Sequence, residues 1–433
     1  MTRSRTPGRL TTLRRYWPLA VTLPITAIGF MQLVRAAPVQ RLSGPVPPPS
    51  DPAFREALHA TLGIPLVPGS TVELLLNGEE LFPRMWGEME RAERSISLYS
   101  FFWDSGEVAR RLREVLAERA RAGVNVRVLY DQLGAMGHGG SAFDELRSAG
   151  AEAVPHRPAG YRSWHAIHRR SHARYLLIDD QIAYTGGFGF ADQWSGSGRR
   201  KGEWRDSAVR VQGGLVPPLD AGFRSLWAEA SGELIADPGG GGDPAPGTGR
   251  EVEALAFNSS PTSISMPVER MFALSIASAR ERLYLSIAYF IPNTFFSGLL
   301  ADAARRGVDV RVLTANRRSD VPPAWWAGRT RYDRLLRSGV RIYEYQPSMM
   351  HAKTLVSDGI WSLVGAMNLD NQSLTNLDES GVAVLDRGFG HTMEETFFDD
   401  LERSNEILLE EFRRRPLYER AVERGASAIS RVL

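Results

Sequence analysis

Cysteine is missing from all 433 residues. That excludes disulfide scaffolds, thiolate zinc sites, iron–sulfur clusters and a cysteine nucleophile. Lysine is almost missing. Of 52 basic residues only Lys201 and Lys353 are lysine, so arginine is the default cation and either lysine stands out. A charge excess is lacking too: 52 Lys+Arg face 50 Asp+Glu for a formal +2, too even a balance for a general nucleic-acid coat. The first 50 residues carry no acid.

That acid-free start has a shape. Arg3, Arg5, Arg9, Arg14 and Arg15 precede an uncharged stretch from Tyr16 to Val34. As a helix it would rise about 28 Å, close to a bilayer core. The arginine bias across it predicts a cytoplasmic N-terminus, with the rest of the chain outside the cytoplasm at the cell membrane. A retained anchor is favoured over a signal peptide cleaved near Val34-Arg35-Ala36, and Arg14-Arg15 also fits a twin-arginine signal. Pro45, Pro47, Pro48, Pro49 and Pro52 read as a stiff spacer. Residues 1–52 are therefore expected to be anchor and spacer.

The remainder is 43% apolar and 24% charged over the whole chain, globular in composition and long enough for two domains. It repeats itself. Glu93–Phe102 (ERSISLYSFF) and Glu281–Phe290 (ERLYLSIAYF) each read as a buried strand followed by an amphipathic helix, the second capped by Asn293 or Thr294. Then come Ala122–Leu129 (AGVNVRVL) and Arg306–Leu313 (RGVDVRVL), a helix ending at glycine and a strand. Each half reads strand–helix–strand–helix–strand, an α/β unit. The Gly/Pro stretch Asp237–Gly249 marks the seam. The expected fold class is α/β: two tandem domains over 53–236 and 251–433, joined by a linker over 237–250.

The candidate chemistry recurs at one place in both halves. The first has Ser171-His172-Ala-Arg174, then Asp179 and Gly186-Gly187-Phe-Gly189. The second has Met350-His351-Ala-Lys353, then Asp358 and Gly365-Ala366-Met-Asn368. Both read as hairpins, with turns at Asp179-Asp180 and Asp358-Gly359. On a strand, His and the cation two residues on share a face. An imidazole beside a fixed cation suits attack on a phosphate: one supplies the nucleophilic or proton-transferring nitrogen, the other neutralises oxygen charge. Gly365 and Ala366 would let backbone approach an anion, and Asn368 can donate a hydrogen bond.

H-x-K-x4-D-x6-G-[S/A/G]-x-N, occurring twice, resembles the HKD motif of the phospholipase D superfamily. HRRSHARYLLID, TGG, WRD at Trp204–Asp206, YFIP at Tyr289–Pro292 and NLDNQS at Asn368–Ser373 resemble its bacterial cardiolipin synthase branch, over about residues 70 to 410. The resemblance implies two phospholipase D-like domains in a pseudo-twofold arrangement whose hairpins meet at one site. It implies a catalytic set of His172, His351, Lys353, Arg174, Asp179 and Asp358, though for the two aspartates a structural turn role weighs more. One histidine would form a phosphohistidine, His172 by family habit, and His351 would serve as acid and base. Asn368, Gly365, Gly186 and Gly187 would line the phosphate. Asp206 and Glu379 would hold the imidazoles. No metal and no cofactor is implied. The partners would be membrane phospholipids, a phosphatidylglycerol-like donor and acceptor, and not nucleic acid.

The first copy departs from the pattern. Arg174 stands where the family has lysine, and Gly189 where it has asparagine. Arginine keeps the charge but changes its shape. An active transferase is favoured, with a hydrolase of the same fold, a nucleic-acid phosphodiesterase and a catalytically impaired phosphate binder as alternatives. Outside the motifs, Trp194, Trp325 and Trp326 read equally as a rim dipping into lipid or as core. Arg169 and Arg170 read as headgroup-attracting or solvated. His138, His165 and His168 read as loop or structural residues, Lys201 as a loop cation, and the segment after Phe398 as a solvated closing helix.

Overall fold

A computed structural model describes residues 39–135, 140–157, 170–236, 247, 249–260 and 267–429. The expected anchor over 16–34, His138, His165, His168, Arg169 and most of the Gly/Pro linker lie outside those residues. No helix of the described residues is long and apolar enough to cross a membrane. Arg41–Leu433 forms one compact unit.

Its centre is a single 15-stranded sheet. The first half contributes β1 (Val67–Leu76), β2 (Ser95–Ser100), β3 (Asn125–Asp131), β4 (Glu152–His156), β5 (Tyr175–Ile178), β6 (Ile182–Gly186) and β8 (Ser207–Gly213); a short β7 (Trp204–Arg205) lies outside it. The second half contributes β9 (Glu251–Ser259), β10 (Arg282–Ile287), β11 (Asp309–Thr314), β12 (Arg341–Tyr345), β14 (Lys353–Ser357), β15 (Trp361–Gly365), β16 (Glu379–Leu385) and β17 (Ser404–Glu406). A short β13 (Met349–Met350) pairs with β7, a second link between the halves. From the middle outward the strands run 1-8-6-5-2-3-4 one way and 9-16-15-14-10-11-12-17 the other. The seven strands of the first series match the first seven of the second position for position, β17 being an extra edge strand, and β1 and β9 pair antiparallel at the seam, as a twofold axis between equivalent edges requires.

The repeated sequence explains the repeated elements. β2 and β3, like β10 and β11, are parallel, so each pair needs a crossover. The crossovers are α3 (Glu107–Arg121) and α7 (Thr294–Arg305), each followed by a glycine in the left-handed region, Gly123 at φ 90° and Gly307 at φ 93°. Asn293 is the α7 cap, accepting from the Phe296 N–H at 3.0 Å. One face of the sheet carries a core drawn from both halves, Tyr99, Tyr175 and Val209 with Tyr284, Val356 and Val382, under α5 (Val216–Ser231) and α10 (Arg387–Leu401). The opposite face is covered separately. α2 (Asn77–Glu90), α3 and α4 (Gly140–Ser148) cover the first half. α1 (Ala53–Leu62), α6 (Pro267–Ser278), α7, α8 (Pro322–Arg337) and the short α9 (Asn371–Thr375) cover the second.

The hairpin aspartates stand apart from the other motif residues. Asp179 and Asp358 both sit in the turns at φ 53°. Asp179 accepts from the backbone N–H groups of Glu93, Arg94 and Ser95 at 2.7–3.0 Å. Asp358 accepts from Arg280, Glu281 and Arg282 at 2.8–3.2 Å. Each carboxylate ties its hairpin to the chain entering the neighbouring strand. Their place in the expected catalytic set is corrected accordingly: the carboxylates are spent on backbone donors at the turn.

Asp358→Ala is therefore expected to cost about 2 kcal/mol of stability, as bonds to a charged acceptor are lost, read as a lower Tm. Turnover per folded molecule should stay within about twofold, as for a change remote from chemistry. A large loss of turnover in fully folded protein would restore the catalytic assignment.

Candidate active site

The site is built from the residues just ahead of β5 and β14 and those opening β8 and β16. The His172 N–H donates to the Asp378 carbonyl at 2.8 Å, and the His351 N–H donates to the Arg205 carbonyl at 2.7 Å. Each histidine backbone thus hangs on the opposite half. The residues it hangs on are fixed by buried ion pairs, Asp378 with Arg157 and Arg205 with Asp400, each at 2.9 Å.

The side chains cross over in the same way. His172 Nδ1 lies 3.3 Å from Glu379 Oε2, a second-half residue. His351 Nδ1 lies 2.7 Å from Asp206 Oδ2, a first-half residue. Such a contact at Nδ1 leaves Nε2 as the reactive nitrogen. Each histidine also has an aromatic wall: Phe101 edge-on to His172 with centroids 5.8 Å apart, and Trp194 and Trp204 at 5.3 and 4.8 Å from His351.

The two cations occupy matching places. The Lys353 ammonium donates to the His351 carbonyl, and the Arg174 guanidinium donates to the His172 carbonyl. Arg174 Nε also donates to the Phe188 carbonyl at 2.9 Å. Both are 1% exposed, so the positive charge of the site is dry and close to both imidazoles.

Burial sets the titration. Desolvation, then the Lys353 charge, pulls His351 down to about 4 against the lift from Asp206. Desolvation, then Arg174 and Lys353, pulls His172 well below its usual value. Lys353 is brought down to about 7 by burial, and Arg174 beside it adds to the fall. Burial pushes Glu379 up to about 8. Asp206 moves the other way. Burial would raise it, but His351, Lys353 and a hydrogen bond from Trp194 outweigh burial and hold it anionic. The two histidines are therefore unlike: His351 faces a charged carboxylate, and His172 faces a carboxyl that favours its neutral form.

His172, Arg174, Asp206, His351, Lys353 and Glu379 are brought together. Asn368 is buried beside them; its Oδ1 accepts from the Tyr289 N–H at 3.2 Å, which leaves the amide N–H2 to donate. The glycines also have a packing role. A Cβ at Gly187 would stand 2.1 Å from Asp206 Oδ1, and one at Gly365 would stand 2.6 Å from the Ser380 carbonyl. Gly186 likewise leaves room for the β8 backbone at Ala208. Their missing side chains admit the next strand and the Asp206 carboxylate.

Several expectations change. Trp194 is 3% exposed and donates from Nε1 to Asp206 Oδ2 at 2.8 Å, the oxygen that His351 contacts. Trp325 is buried and donates to Glu344 at 2.9 Å, and Trp326 is half-buried against it. No tryptophan rim forms from these residues. Arg170 is neither solvated nor free for headgroups, because it pairs with Asp131 at 2.6 Å. Lys201 is an exposed loop cation. The Gly189 site is closed by the same Trp194. A Cβ there would lie 3.0 Å from its ring and 3.2 Å from Phe102, so an asparagine would have to displace Trp194. The crossed partnership itself was not legible. The available signal was the repeated acid-serine pair, Asp206-Ser207 and Glu379-Ser380, each at the head of a strand after its hairpin.

Comparison with known proteins agrees with this geometry. The family model described as cardiolipin synthase, phospholipase D-like domain, matches residues 273–401. A cardiolipin synthase of Geobacillus kaustophilus is 30% identical over 407 residues, covering 91% of this chain and 78% of its own length. The major cardiolipin synthase ClsA of Bacillus subtilis is 29% identical over 365 residues, covering 84% and 76%. In fold, the chain is similar to a phosphatidylserine synthase of Haemophilus influenzae with a TM-score of 0.65 at 12% identity, over 88% of this chain and 99% of that one.

Two outcomes follow from the site. Lys353 is charged below about 7 and loses its charge above it. Tungstate, whose own charge is constant in this range, should bind more weakly as pH rises, by up to about tenfold per unit. Lys353→Arg should flatten that slope; an unchanged slope would remove Lys353 from the anion site. Trp194→Phe takes one donor from Asp206 and should lower turnover about tenfold, the worth of a bond to a charged acceptor. It should also raise the pH of the acidic limb of the rate profile, since Asp206 then protonates more readily. An unmoved acidic limb would make Trp194 mere packing.

Proposed function

This chain belongs to the cardiolipin synthase family of phospholipase D-like enzymes, and from that premise we propose that His172 and His351 relay a phosphatidyl group between two lipid hydroxyls. It is a phosphatidyltransferase of the cardiolipin synthase type; the donor, the acceptor and the covalent intermediate are the proposal. The observation that carries it is the crossed pairing, which puts one imidazole of each half beside two buried cations.

Neutral His172 attacks phosphorus with Nε2, forming a P–N bond as the P–O bond to the leaving glycerol breaks. His351, in its protonated form, gives its Nε2 proton to the departing alkoxide. The acceptor hydroxyl then returns a proton to His351, its oxygen attacks phosphorus, and the P–N bond breaks. Arg174, Lys353 and the Asn368 amide offset the charge on the non-bridging oxygens. The unlike carboxyls support this division. Anionic Asp206 offsets part of the burial and Lys353 charge that pull His351 down to about 4, which makes its imidazolium a strong acid toward the leaving alkoxide, and Glu379, favouring its neutral form, leaves His172 neutral as a nucleophile must be.

A phosphatidylglycerol-like lipid suits both roles, since its glycerol headgroup is a leaving alcohol in one copy and a free hydroxyl in the other. Deep burial of both histidines, at 12% and 4% side-chain exposure, keeps bulk water from competing with that hydroxyl and supports transfer over hydrolysis. A membrane location with the residue 16–34 stretch as anchor belongs to the same reading, supported by its length and flanking arginines.

With phosphatidylglycerol vesicles the full chain is expected to yield cardiolipin and free glycerol, and His351→Ala should lower the rate at least about a thousandfold, as for loss of a general acid–base residue. Protein quenched rapidly in neutral denaturant, which spares the acid-labile P–N bond, should carry labelled phosphatidyl on His172. Phosphatidic acid as the main product would make it a hydrolase, and label on His351 would reverse the two roles.

A further inference from the structure

The C-terminal helix is turned inside out. It is α12 (Leu417–Ile429), which follows the short α11 (Leu409–Arg413) and packs on α8. Its acids face inward. Arg329 of α8 lies 3.1 Å from Glu423 and 3.5 Å from Glu419, and Arg415 lies 2.7 Å from Glu423. Its apolar residues face outward: Leu417 is 79% exposed, Tyr418 67% and Val422 44%. At about 100° per residue, Leu417, Tyr418, Ala421, Val422, Gly425 and Ala428 span an arc of roughly 140°. Arg420 and Arg424 border one edge, and Arg413 and Arg414 precede the first turn. Glu410 and Glu411 on α11 are exposed acids nearby, with Glu410 3.8 Å from Arg414, and the partly exposed Asp333 pairs with Arg413 at 2.8 Å, so Arg420 and Arg424 carry the basic edge.

Such a surface is costly to leave in water. A soluble closing helix would put Leu417, Tyr418 and Val422 against the core and Glu419 and Glu423 outside. Here buried arginines hold the reverse orientation. Ala426, near the end of the same helix, packs with Ile291, Ala324 and Ala327, and Tyr289 joins that cluster. The Tyr289 N–H is the donor to Asn368, so the helix ends close to the phosphate-binding side of the site.

The geometry points to α12 as a membrane-surface helix that lays Leu417, Tyr418 and Val422 into an anionic lipid interface, with Arg420 and Arg424 at headgroup level, and so sets the site against its lipids. Basic edges beside an apolar arc are complementary to acidic headgroups. A second copy of the chain fits less well. Three side chains offer on the order of 300 Å², where a stable interface needs about 800 Å² from each partner. The proposal rests on the lipid-transfer reading for its purpose, but its test reads the helix directly.

The absence of cysteine makes that test specific. Val422→Cys in the full chain is labelled with a polarity-sensitive fluorophore, and Glu118→Cys on α3 serves as the remote control. With vesicles of phosphatidylcholine and phosphatidylglycerol, the label at 422 should shift to the blue and be quenched from the lipid phase about fivefold more than the label at 118, as for a face buried in the interface. Vesicles of phosphatidylcholine alone should give a much smaller shift; an equal shift overturns the role of the arginines. A label at 422 that stays in water with anionic vesicles, or shifts with protein concentration in their absence, overturns the proposal, the latter in favour of self-association. Leu417→Ser with Val422→Ser should lower turnover on vesicles while sparing turnover of a dispersed short-chain lipid; equal loss on both also overturns it. If the parent chain turns over neither substrate, the transfer reading fails, and the fluorophore still decides the helix.

Discussion

Everything at the centre of this protein depends on an exchange of carboxyls between its two halves. Asp206 serves His351 and Glu379 serves His172, and the backbone of each histidine is tied across the same seam. Neither half has a complete site by itself. The continuous sheet provides the rigidity this needs, because β1–β9 pairing fixes the register of both hairpins against the strands that carry their partners. Separating the halves would disconnect the imidazoles and expose two buried cations together.

The symmetry is deliberately incomplete in its consequences. Backbone and strand order repeat closely, yet the two histidines titrate against different neighbours. Trp194 reinforces the charge on Asp206, and it fills the space that an asparagine at position 189 would use. The first half has thereby given up one phosphate donor and gained a fixed anion behind the second-half histidine. Arg174 is less of a departure than its sequence suggests. It makes the same histidine-carbonyl contact as Lys353 and adds a bond to Phe188 that lysine's single nitrogen would have to choose between.

The outer surface follows a related logic. Trp194 and Trp325, which looked suited to a lipid rim, are used for internal hydrogen bonds, and three exposed apolar side chains lie together on a helix whose acids are turned inward. Arg329 brings this about: one buried guanidinium between Glu344, Glu419 and Glu423 fixes which face of α12 meets the surroundings.

The sequence by itself determined the α/β repeat, the strand-helix-strand order, the helix-ending glycines and the pair of histidine–cation motifs, because these are local: periodicity, caps and spacing act over a few residues. The family resemblance named Asp206 and Glu379 as partners for the imidazoles, and the hairpin position marked Asp179 and Asp358 as turn residues. The sequence did not assign which carboxyl serves which histidine, what Trp194 is for, or which way the last helix faces. Those were decided only in the tertiary structure. Residues 206 and 351, or 329 and 423, meet only after a sheet has closed between them, and desolvation, which gives each charge its weight, is a property of the assembled core and not of any stretch of chain.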